Sequence, residues 1–521
     1  MDMGKSNTIV IGAGIAGIKA SQDLTRAGIS NLVLEARDRL GGRLHTVKLN
    51  SGTPIDLGAS WFHDCYDNPL LEKYWKSGKV NFYFDDGKTT FYSEDGKVDE
   101  NEKLRPILEE IKLYLADTYD SLTVDQDVSV KETVYNYIKE KRYLLTDYQI
   151  RMMPQIARYF EMWIGSSWEV LSSRNISADV HKGRDAMVTN GYINVFDGEL
   201  EELIAVSEHS TLDQLTDPNS MAHTKTGGIS VKLNRVVYKI EFVSKKKEIR
   251  VHTKDSVTGN NVQVFTCEYL IVTVPLSILK LSDLRETGAI EWSPPLPKPF
   301  TKSLEKVSFS NLGKVFFEFP QIFWSVEEDR IFSLPKADEA YYKACKNDPM
   351  GVSSYKFEIK TKDTPIPVGT IPNGLDYYVL LLNIARPTGK PLLLILTSAP
   401  LTQFIEEQED ENVIFQVFKP VFARISGLKE NEVPQPLQIK TSKWSADPYA
   451  RGSYTGVTVG DDYEAALENL MNPKAIFDGT GRVRFAGEGT TDDGNGCAHA
   501  AWTTGGREAA VIIKKNNKSK L

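Results

Sequence analysis

The 521-residue chain has few cysteines and no long hydrophobic run. Its four cysteines, Cys65, Cys267, Cys345 and Cys497, are scattered and form no CxxC pair. This scatter argues against a disulfide framework and against a zinc site. No apolar stretch approaches the ~18 residues of a membrane span, so we expect no membrane segment.

An excess of basic charge is also missing. The formal net charge is -8, and a nucleic-acid-binding domain would instead show a basic patch. A negative field would help to gather cationic substrates. With 521 residues, of which 41% are hydrophobic, the chain exceeds the ~250–300 residues of a single core, so we expect two domains.

The N-terminus carries the signals of a dinucleotide-binding βαβ unit. An apolar strand, Thr8-Ile9-Val10-Ile11, leads into Gly12-Ala13-Gly14-Ile15-Ala16-Gly17. Helical periodicity follows to Ala27 and stops at Gly28. A second strand, Asn31-Leu32-Val33-Leu34, comes next. Strand, helix and strand in this order make the GxGxxG far more specific than it would be alone.

Each residue of the motif has a physical role in holding a dinucleotide. Gly12 permits the tight turn, Gly14 lets the backbone approach a pyrophosphate, and Gly17 allows close packing of helix and strand. The N-terminus of the helix, at Ile15 and Ala16, offers free N–H groups to phosphates. Glu35 ends the second strand, where an acid accepts hydrogen bonds from a ribose.

The next segment, Glu35-Ala36-Arg37-Asp38-Arg39-Leu40-Gly41-Gly42-Arg43, resembles the second fingerprint of the flavin amine oxidase superfamily. Further segments resemble motifs of that family in the same order along the chain, from Ile9 to Ala510. The resemblance implies non-covalent FAD. It also implies these cofactor-binding residues: Gly12, Gly14, Ile15, Ala16, Gly17, Glu35, Ala36, Arg37, Gly42, Arg43, Gly58, Ala59, Ser60, Trp61, Val236, Trp444, Gly487, Glu488, Cys497 and Ala498.

Two positions distinguish branches of the superfamily. In monoamine oxidases a cysteine that carries covalent flavin stands where this chain has Ser453, and a second aromatic-sandwich tyrosine stands at Ala498. The stretch Arg158-Tyr159-Phe160-Glu161-Met162-Trp163, Asn190 and Cys497-Ala498-His499 resemble the fungal polyamine (spermine) oxidases instead. The family's Gly-Glu-His-Thr reads Gly487-Glu488-Gly489-Thr490 here.

The resemblance implies oxidation of a C–N bond of spermine, spermidine or an N-acetylated polyamine, with O2 reduced to H2O2. Lys314, isolated among apolar residues of a strand, matches the family's active-site lysine, although a lysine guarding a sheet edge is the alternative. His63 is expected to face the substrate, either as an acid–base group or only as a hydrogen-bond partner.

The remaining predicted site residues would hold the substrate. Trp163 and Tyr454 are expected to line its passage, because aromatic faces attract ammonium groups. Asn190 is expected to contact the substrate. Asp86 and Glu161, with Asp85 as a further candidate, are expected to pair with its distal amines.

The expected fold class is α/β (α+β two-domain), with a GR2-type Rossmann-like FAD-binding domain and a second substrate domain of mixed sheet and helices. The predicted FAD-binding domain is discontinuous, comprising residues 1–84, 227–300 and 441–513. The substrate domain comprises 85–226 and 301–440, followed by a flexible tail at 514–521. The site is expected between the domains.

The chain ends in Ser519-Lys520-Leu521, the peroxisomal address, which predicts a peroxisomal import receptor as a partner. A cytoplasmic protein with a basic tail is the alternative. Two other functions stay open: an FAD-retaining ligand-binding protein with weak turnover, and an L-amino acid oxidase. The last needs an arginine for the substrate carboxylate, and the sequence places none clearly. It gives no signal of oligomeric state.

Overall fold

The computed structural model describes residues 2–119, 121–176, 181–207, 209–217, 228–347 and 362–518. The predicted peroxisomal signal at Ser519-Lys520-Leu521 lies outside the described residues. Within them, no helix combines the length and the apolarity that crossing a bilayer requires.

Within the described ranges, the strands form two large sheets and three small ones. The strands are β1 (Asp2–Ile11), β2 (Asn31–Leu34), β3 (Thr46–Lys48), β4 (Pro54–Asp56), β5 (Trp61–Phe62), β6 (Phe82–Tyr83), β7 (Thr89–Ser93), β8 (Gly96–Lys97), β9 (Ala186–Val188), β10 (Ile229–Lys232), β11 (Arg235–Val243), β12 (Glu248–Asp255), β13 (Gln263–Val272), β14 (Glu291–Ser293), β15 (Ser308–Phe309), β16 (Gly313–Glu318), β17 (Arg330–Ser333), β18 (Val379–Asn383), β19 (Leu392–Thr397), β20 (Gln438–Thr441), β21 (Thr455–Gly456) and β22 (Val483–Phe485).

Helices cover both faces of the large sheets. The α-helices are α1 (Ile15–Arg26), α2 (Pro69–Tyr74), α3 (Leu104–Tyr119), α4 (Val130–Lys141), α5 (Asp147–Ala157), α6 (Glu161–Ile164), α7 (Ser173–Ile176), α8 (Ile193–Val206), α9 (Leu212–Thr216), α10 (Leu276–Leu279), α11 (Lys298–Glu305), α12 (Glu339–Asn347), α13 (Ala385–Thr388), α14 (Leu401–Glu407), α15 (Glu411–Ser426), α16 (Tyr463–Met471) and α17 (Ala498–Lys518).

The first large sheet contains the predicted βαβ unit. Its strand order is β10-β2-β1-β13-β12-β11-β14, with β22 also paired to β13. β10, β2, β1, β13 and β22 run parallel, and their apolar residues are buried as in other parallel sheets. α1 ends at Arg26 and Gly28 follows with φ +71°, which confirms the predicted helix end.

The second large sheet is buried on both faces. Its order is β20-β16-β19-β18-β17-β7-β8, antiparallel except for the β17–β7 pair. Every residue of β16, β18 and β19 is buried, because the helices from α3 to α5 pack on one face and α15 packs on the other. β16 lies between β19 and β20, so Lys314 on β16 does not guard a sheet edge.

The packing differs from the predicted domain division in one segment. The division assigns residues 85–226 to the substrate domain. Apolar residues of β9, α8 and α9 instead share a core with β1, β2 and α1. α8 packs directly on α1, because its buried Val195 and Leu203 join this core. Residues 186–216 therefore lie with the parallel sheet. Residues 514–518 of the predicted flexible tail are instead the last residues of α17, and the other boundaries stay a prediction.

Candidate active site

The glycine motif forms the turn that its sequence predicts. Gly12 has φ +103°, and a Cβ there would lie 2.5 Å from Oγ1 of Thr273. A Cβ on Gly17 would lie 2.0 Å from the carbonyl oxygen of Gly12, so only glycine lets α1 approach the turn so closely. Gly17 therefore packs beneath the turn, whereas Gly12 and Gly14 line a long cavity above it.

Glu35 fixes the turn in place. Its buried carboxylate accepts hydrogen bonds from the N–H of Ala13 at 2.8 Å and from the N–H of Arg37 at 2.9 Å. The side chain of Arg37 donates to Asp447 at 2.7 Å. This end of the cavity is thus pre-organised by charge-assisted hydrogen bonds before any ligand is bound.

Arg43 and Gly58 shape the middle of the same cavity. Nη1 of Arg43 donates to Glu488 at 2.8 Å and to the carbonyl of Ser453 at 2.9 Å. A Cβ on Gly58 would lie 1.7 Å from the carbonyl oxygen of Arg43, so this close approach requires glycine. The hydroxyl of Ser453 donates to the carbonyl of Ser310 at 2.9 Å and offers no thiol for covalent attachment of a flavin.

The long cavity fits an extended dinucleotide in shape and chemistry, running from the βαβ turn to Lys314. It brings together all but one of the predicted cofactor residues, although their contact with FAD stays a prediction. These residues are Gly12, Gly14, Ile15, Ala16, Glu35, Ala36, Arg37, Gly42, Arg43, Gly58, Ala59, Ser60, Trp61, Val236, Trp444, Gly487, Glu488, Cys497 and Ala498. The exception is Gly17.

Lys314 is buried at the far end of this cavity. Its ammonium donates to the carbonyl oxygen of Asp56 at 3.3 Å, to the carbonyl of Gly58 and to the hydroxyl of Ser60. It also lies 5.0 Å from the centre of a Trp61 ring. Burial lowers the pKa of Lys314 to about 8, and the nearby Asp56 opposes this shift.

Asp56, whose carbonyl oxygen contacts this lysine, is itself fixed by hydrogen bonds. Its buried carboxylate accepts from the N–H of Tyr192, with both oxygens at 3.0 Å, and from the hydroxyl of Thr46. Burial raises the pKa of Asp56 to about 6, although the hydrogen bond from Thr46 and the charge of Lys314 lower it.

A second cavity opens beside the end of the first. Six residues line both cavities: Trp61, His63, Leu312, Tyr454, Gly496 and Cys497. Trp163 and Tyr454, the predicted aromatic wall, both line the second cavity, and the Tyr454 hydroxyl donates to the carbonyl of Trp163. Leu380, Leu382 and Leu396 of β18 and β19 add an apolar surface.

His63 belongs to a His–Asp–His cluster that the sequence analysis missed. Its Nδ1 lies 3.2 Å from Asp185, whose other oxygen lies 2.8 Å from Nδ1 of His181. Burial alone would raise the pKa of Asp185, but the hydrogen bonds from His181 and His63 hold it well below its usual value. The His–x–x–x–Asp spacing is the only local signal, and it is too common to identify a site.

Asp86, Glu161 and Asn190, three of the predicted substrate residues, line neither cavity. Asp86 forms a two-pronged ion pair with Arg184 on the surface. Glu161 is buried, and its carboxylate accepts from Arg158 at 2.9 Å and from the N–H of Trp168 at 3.0 Å. These two predictions are corrected, because each carboxylate already serves a structural partner away from the cavities.

Asn190 also has a structural role. Its side-chain oxygen accepts from the N–H of Asn81 at 2.9 Å, and its Nδ2 donates to the carbonyl of Lys79 at 2.9 Å. Its amide therefore joins two loops. The predicted substrate contact is corrected on this geometry.

Asp85 and Arg330 occupy the wall of the second cavity instead. Asp85 accepts from Nε1 of Trp61 at 3.2 Å and from Nε of Arg330 at 3.0 Å. The Arg330 guanidinium lies 5.6 Å from the Trp163 ring centre. The sequence places no arginine clearly toward a substrate, whereas in the structure Arg330 lines the second cavity. Nothing in the spacing around Arg330 could have identified it.

The comparisons with known proteins agree with this geometry. Residues 15–513 match the family model described as flavin containing amine oxidoreductase. A corticosteroid-binding protein of Candida albicans is 30% identical, over 98% of this chain and 96% of its own length. Polyamine oxidase 2 of Arabidopsis thaliana is 24% identical, over 96% of this chain and 86% of its own. The chain spans 54 to 56% of the length of three other curated relatives.

A solved structure shares the fold. A putrescine oxidase with redesigned cofactor binding superposes with a TM-score of 0.62 at 17% identity, covering 98% of this chain and 99% of that one. The expected α/β class is confirmed by this likeness and by the two large sheets. The family match contains Lys314, the residues of the second cavity and those of the dinucleotide cavity other than Ile11, Gly12 and Gly14. The chain therefore belongs to the flavin containing amine oxidoreductase family, with FAD as its cofactor.

Proposed function

We propose that this protein is a polyamine oxidase that oxidises the carbon next to a substrate nitrogen, with O2 as the final acceptor and H2O2 as a product. One observation carries the proposal: an aromatic and aliphatic cavity opens directly onto the Lys314 end of the cofactor cavity. FAD, when bound, supplies the two-electron acceptor. The imine product is hydrolysed to an amine and an aldehyde.

The residues of the second cavity suit a long amine. Trp163 and Tyr454 present aromatic faces to the methylene chain and to ammonium groups. The carboxylate of Asp185 lies beside His63 at the junction and favours a cationic amine there. His63 lines both cavities at this junction, where its ring can take a proton from the substrate nitrogen.

Lys314 would act through its position and its charge. Its ammonium is held by three oxygen acceptors, so it meets the reacting groups without first reorganising. With a pKa of about 8 it can also gain or lose a proton near neutral pH, as a general acid or base requires.

The experiment is anaerobic mixing of the purified yellow protein with spermine, spermidine, N1-acetylspermine and benzylamine. We expect the polyamines to bleach the flavin absorbance and, in air, to yield H2O2, whereas benzylamine does neither. Absence of bleaching by every polyamine would overturn the proposal.

A second candidate is an FAD-retaining binding protein with weak turnover. The 30% identical relative described as a corticosteroid-binding protein favours it, together with the leucine surface of the second cavity. The same experiment separates the two. A binding protein would show a spectral shift with a steroid and no bleaching with amines.

We also propose a peroxisomal location, supported by the sequence Ser519-Lys520-Leu521 and by a peroxide product. A fluorescent protein fused to the N-terminus should colocalise with a peroxisomal marker and become diffuse when these three residues are removed. A diffuse signal from the intact fusion would contradict this.

A further inference from the structure

Arg330 is an incompletely satisfied cation in the wall of the second cavity. It begins β17, its side chain is 16% exposed, and it lines the cavity beside Trp163. A guanidinium has five N–H donors. Its Nε donates to Asp85, and its Nη1 and Nη2 make no hydrogen bond with any residue in the described part of the chain. These terminal nitrogens therefore have donors to offer a ligand.

Asp85, the acid next to this arginine, is already satisfied. One of its oxygens accepts from Trp61 and the other from Arg330. Its side chain is only 3% exposed. Asp85 therefore neutralises the guanidinium and does not present a free carboxylate to the distal ammonium of a polyamine.

Groups of both charges therefore face the second cavity. Asp185 lies beside His63, which lines both cavities at their junction, where the reacting amine would bind. Arg330 and the leucines of β18 and β19 line the second cavity and not the cofactor cavity. A guanidinium fork selects planar oxygen acceptors and repels an ammonium.

We propose that Arg330 is a specificity-determining residue. Its Nη groups donate to an oxygen acceptor, an amide carbonyl or a carboxylate, on the part of the amine substrate that occupies the second cavity. This inference rests on the proposed oxidase function and defines its substrate class. The preferred substrate is an amine that carries an acyl or acidic group on that part, and a polyamine with an ammonium there is a poor substrate.

The test compares two matched pairs of substrates in the FAD-loaded protein. Spermine and N1-acetylspermine differ by an amide carbonyl, and spermidine and putreanine differ by a carboxylate in place of an aminomethyl group. We expect the wild-type kcat/KM to favour the oxygen-bearing member of at least one pair by about 10-fold or more, as for charge-assisted hydrogen bonds. The substrate pair in which this preference appears shows whether the acceptor is an amide carbonyl or a carboxylate.

Arg330→Met should invert this preference. The variant loses the donor and leaves the Asp85 carboxylate unpaired, so kcat/KM should fall about 10- to 100-fold for the oxygen-bearing substrate and rise for its ammonium counterpart. In the double variant Arg330→Met with Asp85→Asn, kcat/KM should still fall for the oxygen-bearing substrate but should not rise for its ammonium counterpart. Arg330→Lys should keep part of the preference, because it keeps the charge and loses the fork.

The outcomes distinguish this inference from the function on which it rests. If wild type oxidises spermine at least as well as N1-acetylspermine and spermidine at least as well as putreanine, the role of Arg330 is refuted and the oxidase function stands. The role of Arg330 is likewise refuted if Arg330→Met lowers kcat/KM equally for all four substrates. The wild-type ratios decide even where a variant fails to fold. If no amine bleaches the flavin, both proposals fall.

Discussion

Two cations that line the cavities, the buried Lys314 and the partly buried Arg330, are satisfied in opposite ways. The Lys314 ammonium is held by two backbone carbonyls and a hydroxyl, and no carboxylate among the described residues forms an ion pair with it. Arg330 is paired with the carboxylate of Asp85. Burial lowers the pKa of Lys314 to about 8. The pKa of Arg330 is raised, because the charge and hydrogen bond of Asp85 outweigh its burial.

The difference separates a cation that can change its charge from one that cannot. An ammonium solvated only by dipoles sits near the pH at which it loses its proton, as proton-transfer chemistry requires. A guanidinium paired with a carboxylate stays charged at every accessible pH and is suited to recognition. Lys314 can thus change its charge near neutral pH, whereas the guanidinium of Arg330 stays protonated and paired with Asp85.

The largest effect is expected from Lys314→Met, which removes the tunable cation. We expect kcat to fall by about 100-fold or more with every amine, because a pre-organised charge at the reacting end is lost. FAD should stay bound, as the visible spectrum will show. Stopped-flow measurement of flavin reduction and reoxidation will locate the affected step. The exposed Lys302→Met is the matched control, and an unchanged kcat would contradict the assignment.

The next largest effect is expected from breaking the ion pair between Asp85 and Arg330. Asp85→Leu leaves the Arg330 guanidinium buried without its partner, which costs about 3 kcal/mol of unfolding free energy. Urea unfolding followed by circular dichroism will measure it. The double variant Asp85→Leu with Arg330→Met should recover most of the loss. A single variant as stable as wild type would show that the pair is solvated.

Much of the βαβ unit could be predicted because its signals are local in the sequence. The strand, glycine turn, helix and acid from Thr8 to Glu35 follow one another along the chain, and the structure places them as expected. The apolar residues around Lys314 predicted its strand, whereas its expected role came from the family resemblance.

The substrate side depends on contacts between distant segments. Asp85 and Asp86 are adjacent between β6 and β7, yet Asp85 is buried in the wall of the second cavity and Asp86 lies at the surface. Asp85 meets Arg330 across 245 positions of sequence. Glu161 and Asn190 are polar residues whose structural partners no local pattern reveals. Arg330 and Asp185 were missed for the same reason.

The pH dependence of stability sharpens the contrast further. The pKa of Lys314 is lowered from 10.5 to about 8 on folding, so between these values the unfolded chain binds more protons. Stability relative to Lys314→Met should therefore rise as pH increases from 8 to 10.5, by at most about 1.4 kcal/mol per pH unit. Urea midpoints at pH 7.5 and 9.5 measure this. Arg330→Met should show no such slope relative to wild type, and parallel curves for all three proteins would argue against a tuned lysine.

The smallest effect is expected from Tyr454→Phe. The variant removes the hydroxyl that donates to the carbonyl of Trp163 and keeps the aromatic ring. We expect a loss of about 1 kcal/mol in stability and a KM for amines raised only a few-fold. Steady-state kinetics and urea unfolding will check both. A large fall in kcat would instead indicate that the hydroxyl takes part in the chemistry.

Asp56 makes the tunable cation sensitive to a distant part of the molecule. Its main-chain oxygen contacts the Lys314 ammonium, and its carboxylate accepts from the amide of Tyr192, directly before α8. A ligand or a mutation that displaced α8 along α1 would pull on that amide and change how the ammonium is solvated. α8, which packs on α1 at the parallel sheet, is therefore connected through Asp56 to the hydrogen bonds that hold Lys314.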